Sequence, residues 1–215
     1  MISDSGNYKD VITRYEKAKE KNENVFLFNV TMQNHGGYVS EAYENTVHIT
    51  DLSGYYPQTE QYLSLIRESD VAFEELVTYF SQRENPVLIC MFGDHQPSVE
   101  TDFYEEIQQG SADSDILKQA KKYQTPYILY SNYEMTGQAY DNMSVNYLQV
   151  LLMKAAGLSL NDYQGYLENL YKIYPVINVN GVMDYERNWY SWEEAQSFKE
   201  IQEYSIVQYK ELFDR

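Results

Sequence analysis

The sequence predicts an α/β layered fold in which a mostly parallel sheet is flanked by helices. Short continuous apolar runs recur at Val25–Thr31, Pro86–Phe92 and Thr125–Ser131. Each fits a strand buried on both faces, as in a parallel sheet. Helix-like segments separate these runs, and the resulting strand–helix alternation is the mark of a layered α/β domain.

In chain order, residues 7–22 are polar and helix-prone. The first apolar run follows and closes in Asn34-His35-Gly36-Gly37. Residues 59–82 place Tyr62, Leu63, Leu65, Ile66, Phe73, Leu76, Val77 and Phe80 near helical spacing, which predicts an amphipathic helix. Asn85-Pro86 ends it, because the residue before a proline is pushed out of helical geometry. The second run leads into Gly93-Asp94-His95-Gln96-Pro97. Helical stretches are expected around 113–123 and 142–156, the latter ending at Gly157 in a C-cap position.

The last part of the chain differs in character. A short helix near 163–171, small strands at Val176–Val179 and Val182–Asp184, and a polar helix over 192–213 read as a small α+β extension. The expected division is 1–160 for the layered domain and 161–215 for the extension.

Composition narrows the function. A net charge of −17 and a pI near 4.4 disfavour nucleic acid and anionic headgroups as partners. A phosphate-ester substrate would need local positive charge, and a metal ion is the natural source. The 23 tyrosines fit sugar-facing surfaces, but filling the core and its rim is the better reading. Cys90 is the single cysteine and sits in an apolar run, which fits a buried inert thiol. No apolar stretch reaches the ~20 residues that span a bilayer. No signal peptide opens the chain, which is expected to be a fragment of a longer protein.

Gly93-Asp94-His95 directly follows a predicted strand, and sites in open α/β sheets form at the carboxyl ends of strands. Neighbouring side chains on a strand point to opposite faces, so the chain must leave strand geometry at Asp94 for both groups to reach one cation. Gly93 is expected to permit that turn. An oxygen and a nitrogen donor suit Mn2+ or Zn2+ better than Ca2+. His35 ends the first run in the same way, and if the two strands lie side by side it shares the rim with Asp94 and His95 and could donate a hydrogen bond to a phosphoryl or sulfuryl oxygen. His48 is expected to be structural or exposed, and Trp189 and Trp192 to serve packing. Glu74-Glu75 and Glu193-Glu194 read as solvated helix faces. Nucleotide-binding glycine loops and a Gly-x-Ser-x-Gly elbow are absent from the sequence.

Taken together, Asn29-Val30-Thr31-Met32-Gln33-Asn34-His35-Gly36-Gly37-Tyr38 and Met91-Phe92-Gly93-Asp94-His95-Gln96-Pro97 resemble the Asn-His and Gly-Asp-His segments of lipoteichoic acid synthases and related phosphoglycerol transferases. These belong to the sulfatase branch of the alkaline phosphatase superfamily, and the resemblance covers roughly residues 1–160. It implies part of a three-layer alkaline phosphatase/sulfatase-like fold, with Asp94 and His95 as metal ligands and His35 binding the substrate phosphoryl group. It implies a divalent metal, Mn2+ first and Zn2+, Mg2+ or Ca2+ next. It implies a membrane-anchored parent whose catalytic domain faces outside the cell and whose Thr nucleophile attacks a phosphatidylglycerol-type lipid. An envelope glycerophosphate polymer or glycan would then accept the group. The family's Thr and its first acidic ligand have no match in this chain, since Thr13 and Thr31 lack the surrounding sequence. The isolated chain is therefore expected to be catalytically incomplete. Two alternatives remain open: a sulfatase or phosphodiesterase on soluble esters, and a non-catalytic module that binds a glycan or a partner.

Overall fold

The computed structural model describes residues 2–41, 43–52, 54–108, 114–135 and 142–214. The chain forms two compact units, one from residues 1–87 with 96–112 and one from 88–95 with 113–215.

The first unit is built on two helices, α1 (Asp4–Glu20) and α2 (Pro57–Ser81). Ser3 caps α1 by accepting the Gly6 amide, one of the donors that a helix start leaves without an intrahelical partner. The α2 face carrying Ala72, Phe73, Leu76 and Phe80 is buried, as the helical spacing predicts. Tyr15 of α1 meets Phe80 edge-on, with ring centroids 5.0 Å apart, the arrangement an aromatic quadrupole favours.

The start of α2 is capped from far along the sequence. Pro57 occupies its first turn, where a missing N–H costs nothing. Glu100 accepts the Gln58 amide at 2.7 Å, the Thr59 amide at 3.0 Å and the Thr59 hydroxyl at 2.7 Å. Glu100 itself precedes α3 (Thr101–Ile107), a helix the periodicity did not announce. Burial alone would raise the Glu100 carboxyl, but the hydrogen bonds from Thr59 and Gln58 outweigh it and hold the group below its ordinary 4.5.

The apolar run Val25–Thr31 departs from expectation. No strand forms there, and Phe26 and Phe28 are 84% and 74% exposed. Strand identity needs a neighbour to take the backbone groups, and an apolar run cannot supply one. The second and third runs do form strands, β1 (Leu88–Phe92) and β2 (Tyr127–Ser131). They pair antiparallel, with Cys90 opposite Leu129 and Phe92 opposite Tyr127, where the sequence predicts mostly parallel strands. They are also only partly buried. An apolar run carries no information about direction. Direction is set by the path of the connection, which here includes α3 and α4 (Asp115–Lys121). Position 113 of the predicted 113–123 helix lies outside the described residues.

In the second unit, the predicted 142–156 helix is a 3-10 turn, Val145–Tyr147, running into α5 (Leu148–Ala155). Gly157, with φ +66°, closes it. The Leu158 amide donates to the Met153 carbonyl and the Gly157 amide to Lys154, the paired bonds of a Schellman C-cap. Helix α6 (Asp162–Tyr171) starts on a capping box between Asn161 and Gln164. Strands β3 (Val176–Asn178), β4 (Gly181–Met183) and β5 (Trp189–Tyr190) make an antiparallel meander.

The predicted 192–213 helix is two helices, α7 (Trp192–Ala195) and α8 (Lys199–Phe213). Phe198 lies at the break, stacked on Tyr174 at 5.9 Å and edge-on to Tyr190 at 5.1 Å. Burying that ring turns the chain where propensity alone would continue the helix. The unit's core joins Tyr147 and Val150 to Leu167, Leu170, Val182, Ala195, Ile201 and Tyr204. Tyrosines fill it: the Tyr147 hydroxyl donates to the Tyr174 carbonyl at 2.8 Å, and burial pushes the Tyr204 hydroxyl up to about 12. Among the described residues no helix is long and apolar enough to cross a membrane.

Replacing Glu100 with Ala removes a cap shared by two amides and a hydroxyl, and urea denaturation should show a loss of about 1–2 kcal/mol. Because the folded-state value lies below the ordinary one, Glu100 contributes its full stabilisation above pH 4.5. That share disappears as pH falls through the lower folded value. The difference between wild type and Glu100→Ala should therefore narrow in acid, as read from denaturation midpoints across pH.

Candidate metal and phosphoryl site

Strand β1 ends at Phe92, and a bend follows at Asp94-His95, where the sequence analysis places it. The strand end is pinned from β2's side. The Gly93 amide donates to the Pro126 carbonyl at 3.1 Å. Pro126 has no N–H to return, as an antiparallel pair would normally do. The Thr125 hydroxyl supplies the missing donor to the Gly93 carbonyl at 2.8 Å.

Gly93 works here through its size. Its φ is not positive, but a Cβ would sit 3.1 Å from Thr125 Cβ. The glycine lets Thr125 close in, whereas the sequence analysis assigned it a turn. Thr125 and Pro126 escaped that analysis as site-forming residues, and the Thr-Pro step before an apolar run is the signal that marks them.

Beyond this pin the two candidate ligands project into solvent. Their side chains are 83% exposed at Asp94 and 69% at His95. Asp94 Oδ1 accepts the His95 amide at 2.9 Å, and Asp94 Oδ2 lies 3.6 Å from His95 Nε2. The carboxylate and imidazole therefore share one side of the bend. A carboxylate oxygen and an imidazole nitrogen are donors that Mn2+ or Zn2+ accepts. Two donors fit half of a site, since stable protein sites use about four. Among the described residues no group of three or more His, Cys, Asp or Glu is placed to hold a metal.

His35 belongs to the first unit. Its amide donates to the Met32 carbonyl at 3.2 Å, forming a turn, and its side chain is exposed. The residues on either side are fixed. Asn34 donates through Nδ2 to Ser69 Oγ at 2.8 Å, and Ser69 donates to the buried Asp4 carboxylate at 2.6 Å. Gln33 accepts the Asp4 amide at 2.9 Å. Tyr38, 5% exposed, donates its hydroxyl to the Asn34 carbonyl at 2.6 Å. Gly37 takes φ +94°, a region that side chains avoid. A Cβ at Gly36 would meet nothing within 4 Å, so the backbone beside His35 borders open space.

The other singled-out residues play structural parts. His48, 63% exposed, pairs with Glu60 at 3.1 Å. The Ile49 amide and His48 hold the Glu60 carboxyl below its ordinary value. Thr13 donates its hydroxyl to the Lys9 carbonyl within α1. Glu74, Glu75, Glu193 and Glu194 are exposed, and Glu194 completes the α7 capping box with Ser191. Cys90 is half-buried rather than fully buried, and burial pushes its thiol above the ordinary value.

The sulfatase family model matches residues 4–158, and the chain belongs to the sulfatase family. A Rhizobium meliloti (strain 1021) protein named for cyclic beta-1,2-glucan modification is 26% identical over 190 residues, covering 83% of this chain and 28% of that protein. The structure of Streptococcus pyogenes phosphoglycerol transferase GacH in complex with sn-glycerol-1-phosphate superposes with a TM-score of 0.65 at 18% identity. That match covers 97% of this chain and 48% of the other, and it shows the shared α/β sulfatase-like fold. The chain thus spans about a quarter to a half of the length of these relatives.

Thr125→Val keeps the side-chain shape and deletes the donor to the Gly93 carbonyl, so chemical denaturation should show a loss of about 1 kcal/mol. At Cys90, a raised value keeps the thiol protonated at neutral pH. Iodoacetamide should label it slowly in the folded chain and rapidly once the chain is unfolded, as mass spectrometry would read.

Proposed function

We propose that this chain is part of a metal-dependent phosphoglycerol transferase of the sulfatase family that acts on phosphate esters. In this reading Asp94 and His95 are two ligands of a divalent cation, Mn2+ first, and His35 binds the substrate phosphoryl group. The observation that carries it is the convergence of the Asp94 carboxylate and the His95 imidazole, 3.6 Å apart, on a strand end within the region matched by the family model.

The bound cation would polarise the phosphoryl oxygens and favour a deprotonated hydroxyl nucleophile. The chain's own part is to orient two donors on a pinned strand end. His35, on a turn fixed through Asn34 and Gln33, donates a hydrogen bond to a non-bridging oxygen as charge grows there. The Thr nucleophile and the remaining metal donors come from residues outside this chain, so the chain alone does not turn over. The donor is a phosphatidylglycerol-type lipid, and the acceptor a cell-envelope glycerophosphate polymer or glycan. The printed names of the two relatives, one a phosphoglycerol transferase and one concerned with a glucan, support that pairing. The parent protein is membrane-anchored with this region facing outside.

Two measurements test this. Mn2+ titration followed by electron paramagnetic resonance should show weak binding by the 215-residue chain, abolished by Asp94→Ala. In the full-length parent, release of diacylglycerol from phosphatidylglycerol should be lost in Asp94→Ala and fall by roughly 10²-fold or more in His35→Ala. Sustained turnover by the 215-residue chain alone, or full activity of the Asp94→Ala parent, would sink the proposal.

A further inference from the structure

An open groove of about 500 Å³ runs across the second unit, between the 3-10 turn ahead of α5, the β3–β4 turn and the α7–α8 pair. Its size falls within the roughly 300–1,000 Å³ of small-ligand sites. The wall chemistry is selective. Among the described residues no Asp, Glu, Lys, Arg or His lines it, although the chain as a whole carries a net charge of −17. An ionic ligand would lose water there and find no counter-charge, which is costly.

The polar side chains on the wall are the amides of Asn146, Asn178 and Gln208, the hydroxyls of Ser205 and Tyr204, and the Trp192 indole. An amide side chain both donates and accepts, which matches a ligand hydroxyl that does the same. The amides are held in place. Asn146 Nδ2 donates to the Tyr204 hydroxyl at 2.9 Å, and Gln208 Nε2 donates to the same oxygen at 2.7 Å. Tyr204 is 5% exposed, so a core residue sets the orientation of both.

Trp192 completes the site. Its indole N–H donates to the Asn178 carbonyl at 2.9 Å, which fixes the ring and leaves an apolar surface on offer. Trp192 is 39% exposed, and the wall residues Val145 and Val179 extend the apolar strip at 72% and 74% exposed. A pyranose ring is built to the complementary plan, with a flat face of C–H groups and hydroxyls around its edge.

We infer that this groove binds an uncharged oligosaccharide, with one sugar ring packed on Trp192 and its hydroxyls bonded to the wall amides. The inference stands on the geometry of the second unit and does not rest on the phosphate-ester reading.

The test titrates the 15N-labelled 215-residue chain with cellohexaose, laminarihexaose, maltohexaose and chitohexaose, and with inorganic phosphate and an uncharged apolar peptide as comparison probes. The Trp192 indole signal should shift saturably with at least one hexasaccharide, with the Trp189 signal as the internal control. Ser205→Arg, at an exposed position on α8, fills the groove without touching the core and should weaken binding roughly tenfold or more. Trp192→Ala should do the same, with ligand-observed NMR as the readout. Three results would overturn the inference: no saccharide response up to about 10 mM, a response unchanged in Ser205→Arg, or saturation by the peptide or phosphate alone. Binding is read without turnover, so this outcome and that of the activity assay are independent.

Discussion

A proline has no N–H to give, and the end of the β1–β2 ribbon is organised around that lack. Gly93 would ordinarily exchange two backbone hydrogen bonds with its partner. Pro126 accepts one and cannot return the other, and the Thr125 hydroxyl fills the gap at 2.8 Å. That substitution brings Thr125 close to position 93, where a Cβ would sit a tight 3.1 Å from Thr125 Cβ. The bend that presents Asp94 and His95 begins one residue later. Proline, threonine and glycine thus act together at the strand end that carries the candidate ligands.

The first unit solves a similar problem with buried polar groups. A turn carrying an exposed histidine has little apolar surface with which to hold itself. Here Gln33 and Asn34 tie it to Asp4 and Ser69, and Tyr38 bonds back to Asn34. These bonds are partly buried, where a lost partner costs more than it would at the surface. The result is a fixed backbone beside a solvent-facing imidazole, the combination a binding residue needs. Glu100 applies the same logic at the start of α2, holding the helix with a carboxylate from a distant segment.

In the second unit, tyrosine supplies both packing and polarity. Tyr147 and Tyr204 bury their rings in one core while their hydroxyls find backbone or amide partners. Tyr204 thereby links the interior to the groove wall, because the two residues whose amides bond to it line the groove together with Trp192. The high tyrosine content thus serves the core and, in larger part, its half-buried rim.

Much of the organisation was legible in the sequence. The helices at 4–20, 57–81 and 162–171 lie where helix-prone composition and, for the second, apolar spacing predict them, because those signals act within a few residues of one another. The Asp-His bend after β1 was legible for the same reason, as was the family from its two motifs. The sequence could not decide what depends on a neighbour. Val25–Thr31 has strand composition, yet no strand forms there. The two runs that did pair chose the antiparallel sense, because a ladder's direction belongs to the path of the connection and not to its apolar residues. The break at Phe198 came from burying one ring against Tyr174 and Tyr190. Local sequence signals determined most of the helices and where the Asp-His pair lies, though not α3 or the break between α7 and α8. Tertiary structure alone decided how the strands pair, what size is allowed at Gly93, and which side chains meet along the groove, since each of these is set by contacts between residues far apart in the chain.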